Sequence, residues 1–446
     1  MMSWGKVSAA IGEFINSHRG NDTKLNATFL WILWSRLEAE ETFGGAYRGI
    51  ATERFDEIYR TAEKRPDEPF LSGLYKRRAD ASKLDYLVEQ TLRVQAEAAR
   101  LVGPRAGAFR EVPFPQLEQM AEGAGNYYLL RRPENAPRST SWLRQRRLPR
   151  SLFPNLRIIP AQIADRSVAV ELRPLASVSD GTMSGVAQMK PMTFNSGATY
   201  TVETHLDGGD EYFRVRGLEA GHSRAAEVLD AAFLPESHGN VDAFLFWPEL
   251  SVDEAVLKAV GRGLQDGSGV SSPLAGEASA SARLVMPGTA HMESDRHMFS
   301  PHVGPAWYHV PNRAHVYDAR TGELLFQQDK LRPFRDTKSK EAPLVEALLR
   351  GQKLHVGVAD WGTFCVFICL DFIDERGKIW DALDIDFAIV PSMGALNTCK
   401  AWREKAGEHH RKWGSLSAIA LQAPPSLPGW KHVPSELADV AEVNHV

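Results

Sequence analysis

The feature that most constrains this chain is a change of texture at Pro154. Beyond it, short apolar runs alternate with stretches of helical periodicity, beginning with Leu156-Arg157-Ile158-Ile159-Pro160-Ala161-Gln162. Apolar runs of this length, bounded by turn residues, read as buried strands, and their alternation with helices predicts an α/β fold. The predicted strands lie at 243–247, 282–286, 314–317, 324–327, 364–368 and 387–390, with helices at 223–234 and 252–264. The Gly-, Ser- and Ala-rich stretch 266–280 reads as a flexible loop.

Before Pro154 the periodicity is different. Leu25, Phe29, Ile32, Leu33 and Leu37 recur at helical spacing, as do Leu84, Leu87, Val88 and Leu92. Asn21-Asp22-Thr23 offers capping oxygens for the first of these helices, and Gly103-Pro104 stops the last. A chain of 446 residues exceeds the roughly 250–300 at which single cores stop growing. Two domains are therefore expected, a mainly helical one over 1–150 and an α/β one over 155–446. The junction carries Arg131, Arg132, Arg138, Arg144, Arg146, Arg147 and Arg150 among prolines. It reads as a solvated connector; the alternative is a phosphate-contacting surface, since arginine pairs bidentately with phosphate oxygens. A net charge of -4 gives no whole-chain reason for a polyanionic partner.

Three segments place one reactive polar residue at the end of an apolar run: Phe246-Trp247-Pro248-Glu249, Gln328-Asp329-Lys330-Leu331 and Phe367-Ile368-Cys369-Leu370-Asp371. Strand ends gather on one rim of a layered α/β fold, so residues far apart in sequence can converge there. A carboxylate, an ammonium and a thiol form a coherent set. A carboxylate that accepts the thiol proton makes the sulfur a far better nucleophile and can return that proton to a leaving amine. A fixed ammonium plus the backbone N–H after the cysteine can hold the negative charge that develops on the substrate. Taken singly, Cys369 reads as a small buried hydrophobe, Glu249 as a surface carboxylate and Lys330 as a hairpin charge; their ordered occurrence reverses that reading.

These segments resemble, in order, the three signatures of the nitrilase superfamily of carbon–nitrogen hydrolases. The resemblance runs from about Asn155 to Ala423: 156–162 is similar to the opening strand, 283–289 to the strand after the first glutamate, 312–330 to the strands that deliver the lysine, and 354–371 with 382–394 to the nucleophile strand and its successor. It implies a nitrilase-like α-β-β-α sandwich preceded by the mainly helical domain. It also implies that Glu249 is the general base, Lys330 the stabilising cation and Cys369 the nucleophile of a thioester acyl-enzyme. A further glutamate normally follows the lysine, and Glu341 is the nearest candidate, although farther from Lys330 than the family pattern. The substrate class implied is a small-molecule amide or nitrile, with no cofactor and no metal, and the assembly implied is a homodimer or higher homo-oligomer. The family pattern is departed from twice, by an insertion at about 164–221 and by a short end after Ala423.

Cys365, earlier on the nucleophile strand, reads as core. The three cysteines, Cys365, Cys369 and Cys399, form no secreted-type disulfide framework, which fits a reducing compartment. The start Met1-Met2-Ser3-Trp4-Gly5-Lys6 lacks signal-peptide character, and no apolar run is long enough to span a bilayer, so a cytoplasmic protein is expected. Adjacent His409 and His410 point to different sides of a helix and read as a solvated face rather than a metal site. Gly261-Arg262-Gly263 and Gly267-Ser268-Gly269 lack the context of a phosphate-binding loop. The competing function is a non-catalytic or partner-regulated protein of the same fold, binding a protein or nucleic acid through its helical front half.

Overall fold

The computed structural model describes residues 156–163, 167–179, 190–193, 200–218, 221–233, 243–267, 282–295, 297–298, 308–336, 343–373, 383, 385–394, 396–413 and 415–422, together with three short strands at 109–113, 126–131 and 442–443. The helical expectation for 23–101, the loop expected at 266–280 beyond Gly267, and Glu341 lie outside the described residues.

Two stacked sheets form the body of a mixed α/β architecture. The first has seven strands in the order Glu442–Val443, Leu416–Gln422, Phe387–Met393, Gly362–Val366, Lys353–Ala359, Val168–Pro174 and Gln162–Ile163. The second runs Thr289–His291, Asn312–Asp318, Leu284–Met286, Ala243–Phe246 and Lys190–Thr193, with Leu324–Asp329 paired to Asn312–Asp318. Side chains alternate between faces along a strand, and the second sheet uses both faces. Phe244, Phe246, Leu284, Met286, Ala314 and Val316 point into the core shared with the first sheet. Their alternates Leu245, Val285 and Tyr317 pack against the helices Gly221–Ala232 and Glu254–Gln265.

The sheets lock through aromatic rings: Phe244 meets Phe364 of the first sheet edge to face, with centroids 5.5 Å apart. Such a pair is worth about 0.5–1.5 kcal/mol beyond its burial. The central strands of the first sheet are apolar throughout, as expected of strands buried on both faces; Phe387, Ala388, Ile389 and Val390 are all buried. Trp402 and Ala406 of the helix Leu396–Trp413 join that core. The helix Glu254–Gln265 starts where Asp253 accepts the Val256 N–H at 2.8 Å, a cap worth about 1 kcal/mol. Its buried stripe of Val256, Leu257, Val260 and Leu264 includes Gly263, where an added Cβ would lie 2.4 Å from Leu229. A side chain at 263 would therefore require Leu229 of the neighbouring helix to move.

Several sequence expectations change. The run 156–162 divides: Leu156–Pro160 pairs antiparallel with Asn126–Arg131 in a three-stranded sheet with Phe109–Pro113. Val168–Pro174 is the strand that lies parallel to Lys353–Ala359. The span 164–221 thus contributes a core strand before its long hairpin, Tyr200–Asp207 with Asp210–Leu218. Before 150 the described strands Phe109–Pro113 and Asn126–Arg131 pair with each other, and the second joins the main body, since Leu130 lies in the shared core and Tyr128 donates to the Val170 carbonyl at 3.1 Å. Arg157 forms a buried ion pair with Asp386 and also donates to Thr363, tying the three-stranded sheet to the first sheet. At the other end, Glu442–Val443 pairs with Leu416–Gln422 and closes that edge. His409 is buried, not solvated, and His410 hydrogen-bonds the Ser415 carbonyl at 3.2 Å. Among the described residues no helix is long and apolar enough to cross a membrane.

Candidate active site

Glu249, Lys330 and Cys369 each follow the C-terminal end of a strand. Glu249 follows Ala243–Phe246, and the chain keeps pairing beyond that strand as Trp247 donates to the Met286 carbonyl. Lys330 follows Leu324–Asp329, its N–H held by the Asn312 carbonyl at 2.8 Å and its carbonyl by Gly351 N–H at 2.8 Å. Cys369 lies three residues past Gly362–Val366, where Phe367 and Cys369 continue the ladder to Ile389 and Pro391. All three side chains line one tight pocket with Phe213, Phe334, Glu346 and Met393.

Two turns at this pocket are strained. Cys369 has φ of 52° and Leu250, next to Glu249, has φ of 53°, a left-handed conformation that costs a non-glycine residue about 1–3 kcal/mol. Each is over-determined by its surroundings. Leu250 N–H donates to Thr289 Oγ1 and Cys369 N–H to the Pro391 carbonyl, both at 2.9 Å. Ser251 Oγ donates to the Pro248 carbonyl at 2.8 Å and closes the Glu249 turn. Gly288 lies against this turn at φ of 111°, where a Cβ would come 2.0 Å from Ser251 Oγ and 2.7 Å from the Pro248 oxygen. The glycine is therefore required by backbone conformation and by space.

Lys330 Nζ donates to Glu249 Oε1 and to Glu346 Oε2, both at 2.6 Å. All three side chains are 1% exposed. Asn312 Nδ2 bridges the same two carboxylates, at 3.0 Å to Glu249 Oε1 and 2.9 Å to Glu346 Oε1. Glu346 also accepts the Phe334 N–H at 3.0 Å and faces His291 Nε2 at 3.2 Å. The two carboxylates, although they share one ammonium, are driven apart. Burial raises Glu249, Lys330 opposes, and the charge of Glu346 adds to the rise, so its pKa lies above the usual carboxylate value. Burial would also raise Glu346, but Lys330 and His291 outweigh it and hold it well below that value. Desolvation weakens the Lys330 ammonium less than its two carboxylates strengthen it. Splitting paired groups in this way assigns a proton acceptor and a permanent anion.

The Cys369 thiol is 3% exposed. Burial and then the Glu249 charge push its pKa up, Lys330 opposing. The resting sulfur is a neutral thiol, donating to the Met393 carbonyl at 3.6 Å, and it lines the same pocket as Glu249. Cys365 is also pushed up by burial, but it is part of the sheet core rather than the pocket. Asp371 couples the thiol turn to the lysine turn: its carboxylate accepts Leu331 N–H at 3.0 Å and Arg332 N–H at 2.9 Å. Burial pushes Asp371 up to about 8 against those donors and Lys330.

The structure brings together Glu249, Lys330 and Cys369 in one pocket. It adds Glu346, Asn312, His291 and Asp371, which sequence reasoning did not single out. Glu346 carries the same signal as the others, a polar residue closing the apolar pair Leu344-Val345. Asn312 and His291 give none, because their partners are set by strand pairing alone. Among the described residues no group of three or more histidine, cysteine, aspartate or glutamate side chains is arranged to hold a metal ion.

No protein-family model matches the chain, and no curated protein does. Among solved structures, an amidase from Nesterenkonia sp. superposes with a TM-score of 0.31 at 14% identity, covering 50% of this chain and 76% of that one. A variant of the Nesterenkonia AN1 amidase, described as from the nitrilase superfamily, gives 0.32 at 13% identity, covering 51% and 79%. A likeness at this level is too loose to identify a family, and the chemistry has to be read from the site.

Proposed function

We propose that this pocket is the active site of a thiol-dependent hydrolase that cleaves a non-peptide carbon–nitrogen bond, on a nitrilase-like α-β-β-α sandwich. The observation that carries the reading is a lysine ammonium held at 2.6 Å by each of two fully buried carboxylates beside a buried thiol on strained backbone. A site meant only for stability has no use for that combination, since buried charges cost several kcal/mol each to desolvate.

In the proposed cycle Glu249 takes the thiol proton as sulfur adds to the substrate carbonyl carbon. The developing oxyanion is met by Lys330 and the Leu370 N–H. Glu249 returns the proton to the nitrogen, the amine or ammonia leaves, and a Cys369 thioester remains. Water, deprotonated by Glu249, then releases the acid and restores the thiol. Glu346 stays ionised, keeping Lys330 charged and aimed.

The pocket walls point to the substrate. Phe213, Phe334 and Met393 are apolar, and the one cation is already paired twice. A carboxylate-bearing acyl group would be buried without a partner, at a cost of several kcal/mol. Uncharged acyl amides should therefore turn over at least about 100-fold better than carboxylate-bearing ones of equal size. The test is mass spectrometry of the protein quenched with a panel of amides and nitriles, with ammonia release measured alongside. An acyl adduct on Cys369 from uncharged substrates supports the reading. Failure of every substrate, together with labelling of Cys369 no faster than Cys365, would sink it and return weight to the binding-protein alternative.

The pH dependence follows from the same asymmetry. Glu249 must be ionised to accept the thiol proton, and its pKa is raised. Activity should therefore be lost as pH falls through a value above the ordinary carboxylate range of about 4.3. With the thiol also raised, no loss should occur on the alkaline side through the usual cysteine range near about 8.5. A kcat/KM profile with its acid limb at or below about 4 would contradict this.

A further inference from the structure

The hairpin Tyr200–Asp207 with Asp210–Leu218 lies outside the two main sheets, yet it reaches the centre of the site. Its second strand pairs parallel with Leu344–Glu346, placing Phe213 opposite Glu346 in register. The Ala347 N–H donates to the Phe213 carbonyl at 2.9 Å. Phe213 packs edge to face on Phe334 and forms a pocket wall. Two residues on, the register slips: Thr201 opposes Gly217 while Val202 opposes Val215, leaving Arg216 as an extra residue. Bulges of this kind re-aim a strand's polar groups. Here the Val215 N–H points away from the hairpin and donates to His291 Nδ1 at 2.9 Å.

That bond fixes the ring. A nitrogen that accepts a hydrogen bond carries no proton, so the proton of His291 sits on Nε2, which faces Glu346 Oε1 at 3.2 Å. His291 is buried, and no rotation could exchange the two nitrogens without losing both partners. We propose that the hairpin is a working part of the site, and that His291 is a positioning residue through which it fixes Glu346 and keeps Lys330 in place beside the thiol. Glu346 then answers to four donors from four directions: Lys330, Asn312, the Phe334 N–H and His291. The inference rests on the hydrolase reading, because only there does the charge on Lys330 have a task. It says that the hairpin sets the working pH of the site as well as shaping its wall.

The charged and titratable groups around the carboxylate pair are Lys330, Cys369 and His291, with Asp371 behind the lysine turn. From the hairpin, Arg214 turns away to Glu203 and Glu293. Glu249 and Glu346 share Lys330 and so titrate as a pair. In the native arrangement the first proton goes to Glu249. Without the His291 donor, Glu346 becomes a second place for that proton, and the pair as a whole is protonated at higher pH.

The test is the rate of Cys369 alkylation by iodoacetamide against pH, read by mass spectrometry on the full chain, with kcat and KM for whichever amide the trapping experiment identifies. His291→Phe removes both bonds at similar volume. It should move the acid limb up by about one unit, the size of one lost hydrogen bond to a charged group. It should also lower kcat about 10- to 100-fold, the scale for a supporting partner, with KM little changed. His291→Gln keeps a donor for Glu346 and should return the limb to its original position. Val215→Pro removes the backbone N–H that His291 accepts, together with a buried valine side chain, while leaving His291 in place, so it tests the hairpin's part separately and carries the test if His291→Phe does not fold. A structural role alone would lower the folded fraction and leave the limb where it was. If folded His291→Phe and Val215→Pro both keep the original limb while native protein hydrolyses its amide, the inference is overturned and the hydrolase reading stands. If native protein neither labels at Cys369 selectively nor cleaves an amide, both fall.

Discussion

Cys369→Ala is expected to lose amide turnover by about 10⁶-fold, the scale seen when the nucleophile of an acyl-transfer triad is removed. The variant should melt close to the native protein. The expectation of a large catalytic loss with little structural loss comes from how the cysteine is held. Its backbone is anchored by its own N–H to the Pro391 carbonyl and by its carbonyl to the Phe372 N–H, and neither bond involves the sulfur. The side chain is small, and alanine leaves a gap of one atom at the wall of the pocket. The left-handed φ of 52° is no worse for alanine than for cysteine. Turnover and thermal melting measured on one preparation check this. A variant retaining a tenth or more of native turnover would show that sulfur is not the attacking atom.

Lys330→Met is the second large effect. As the loss of one oxyanion donor it should cost about 10²–10³ in kcat. It should also destabilise the fold, because Lys330 is 1% exposed and neutralises two carboxylates of the same burial. Breaking a buried pair by removing one partner costs about 3–5 kcal/mol, and here two anions would be left facing each other across Asn312. Protonating them relieves the repulsion, so the loss should be greater at pH 8 than at pH 5. The sign follows from linkage: the variant's native state binds protons at carboxylates that are ionised in the unfolded chain, so its stability falls as pH rises. Chemical denaturation at both values checks this. Equal midpoint shifts, or none, would count against the buried charge network.

What the sequence determined by itself is the part of the site that strands deliver locally. Phe246-Trp247-Pro248-Glu249 and Phe367-Ile368-Cys369 announce a strand and the reactive residue at its end, because apolar runs and turn residues act over a few positions. The core strands were legible for the same reason; 243–247, 324–327 and 387–390 all fall on observed strands. The tertiary structure alone decided the rest. Glu346 reaches Lys330 because Leu344–Glu346 pairs with a hairpin more than a hundred residues earlier. Asn312 meets both carboxylates because its strand shares a sheet with the strand that precedes Glu249 and comes up against Glu346 from a different sheet. His291 is aimed by a backbone N–H exposed at a register slip. Val168–Pro174, rather than 156–162, became the parallel neighbour of Lys353–Ala359, a choice between two runs of similar apolar character. In each case the deciding quantity is which strand lies beside which. That is fixed by pairing and burial summed over the whole sheet, and no local spacing of residues encodes it.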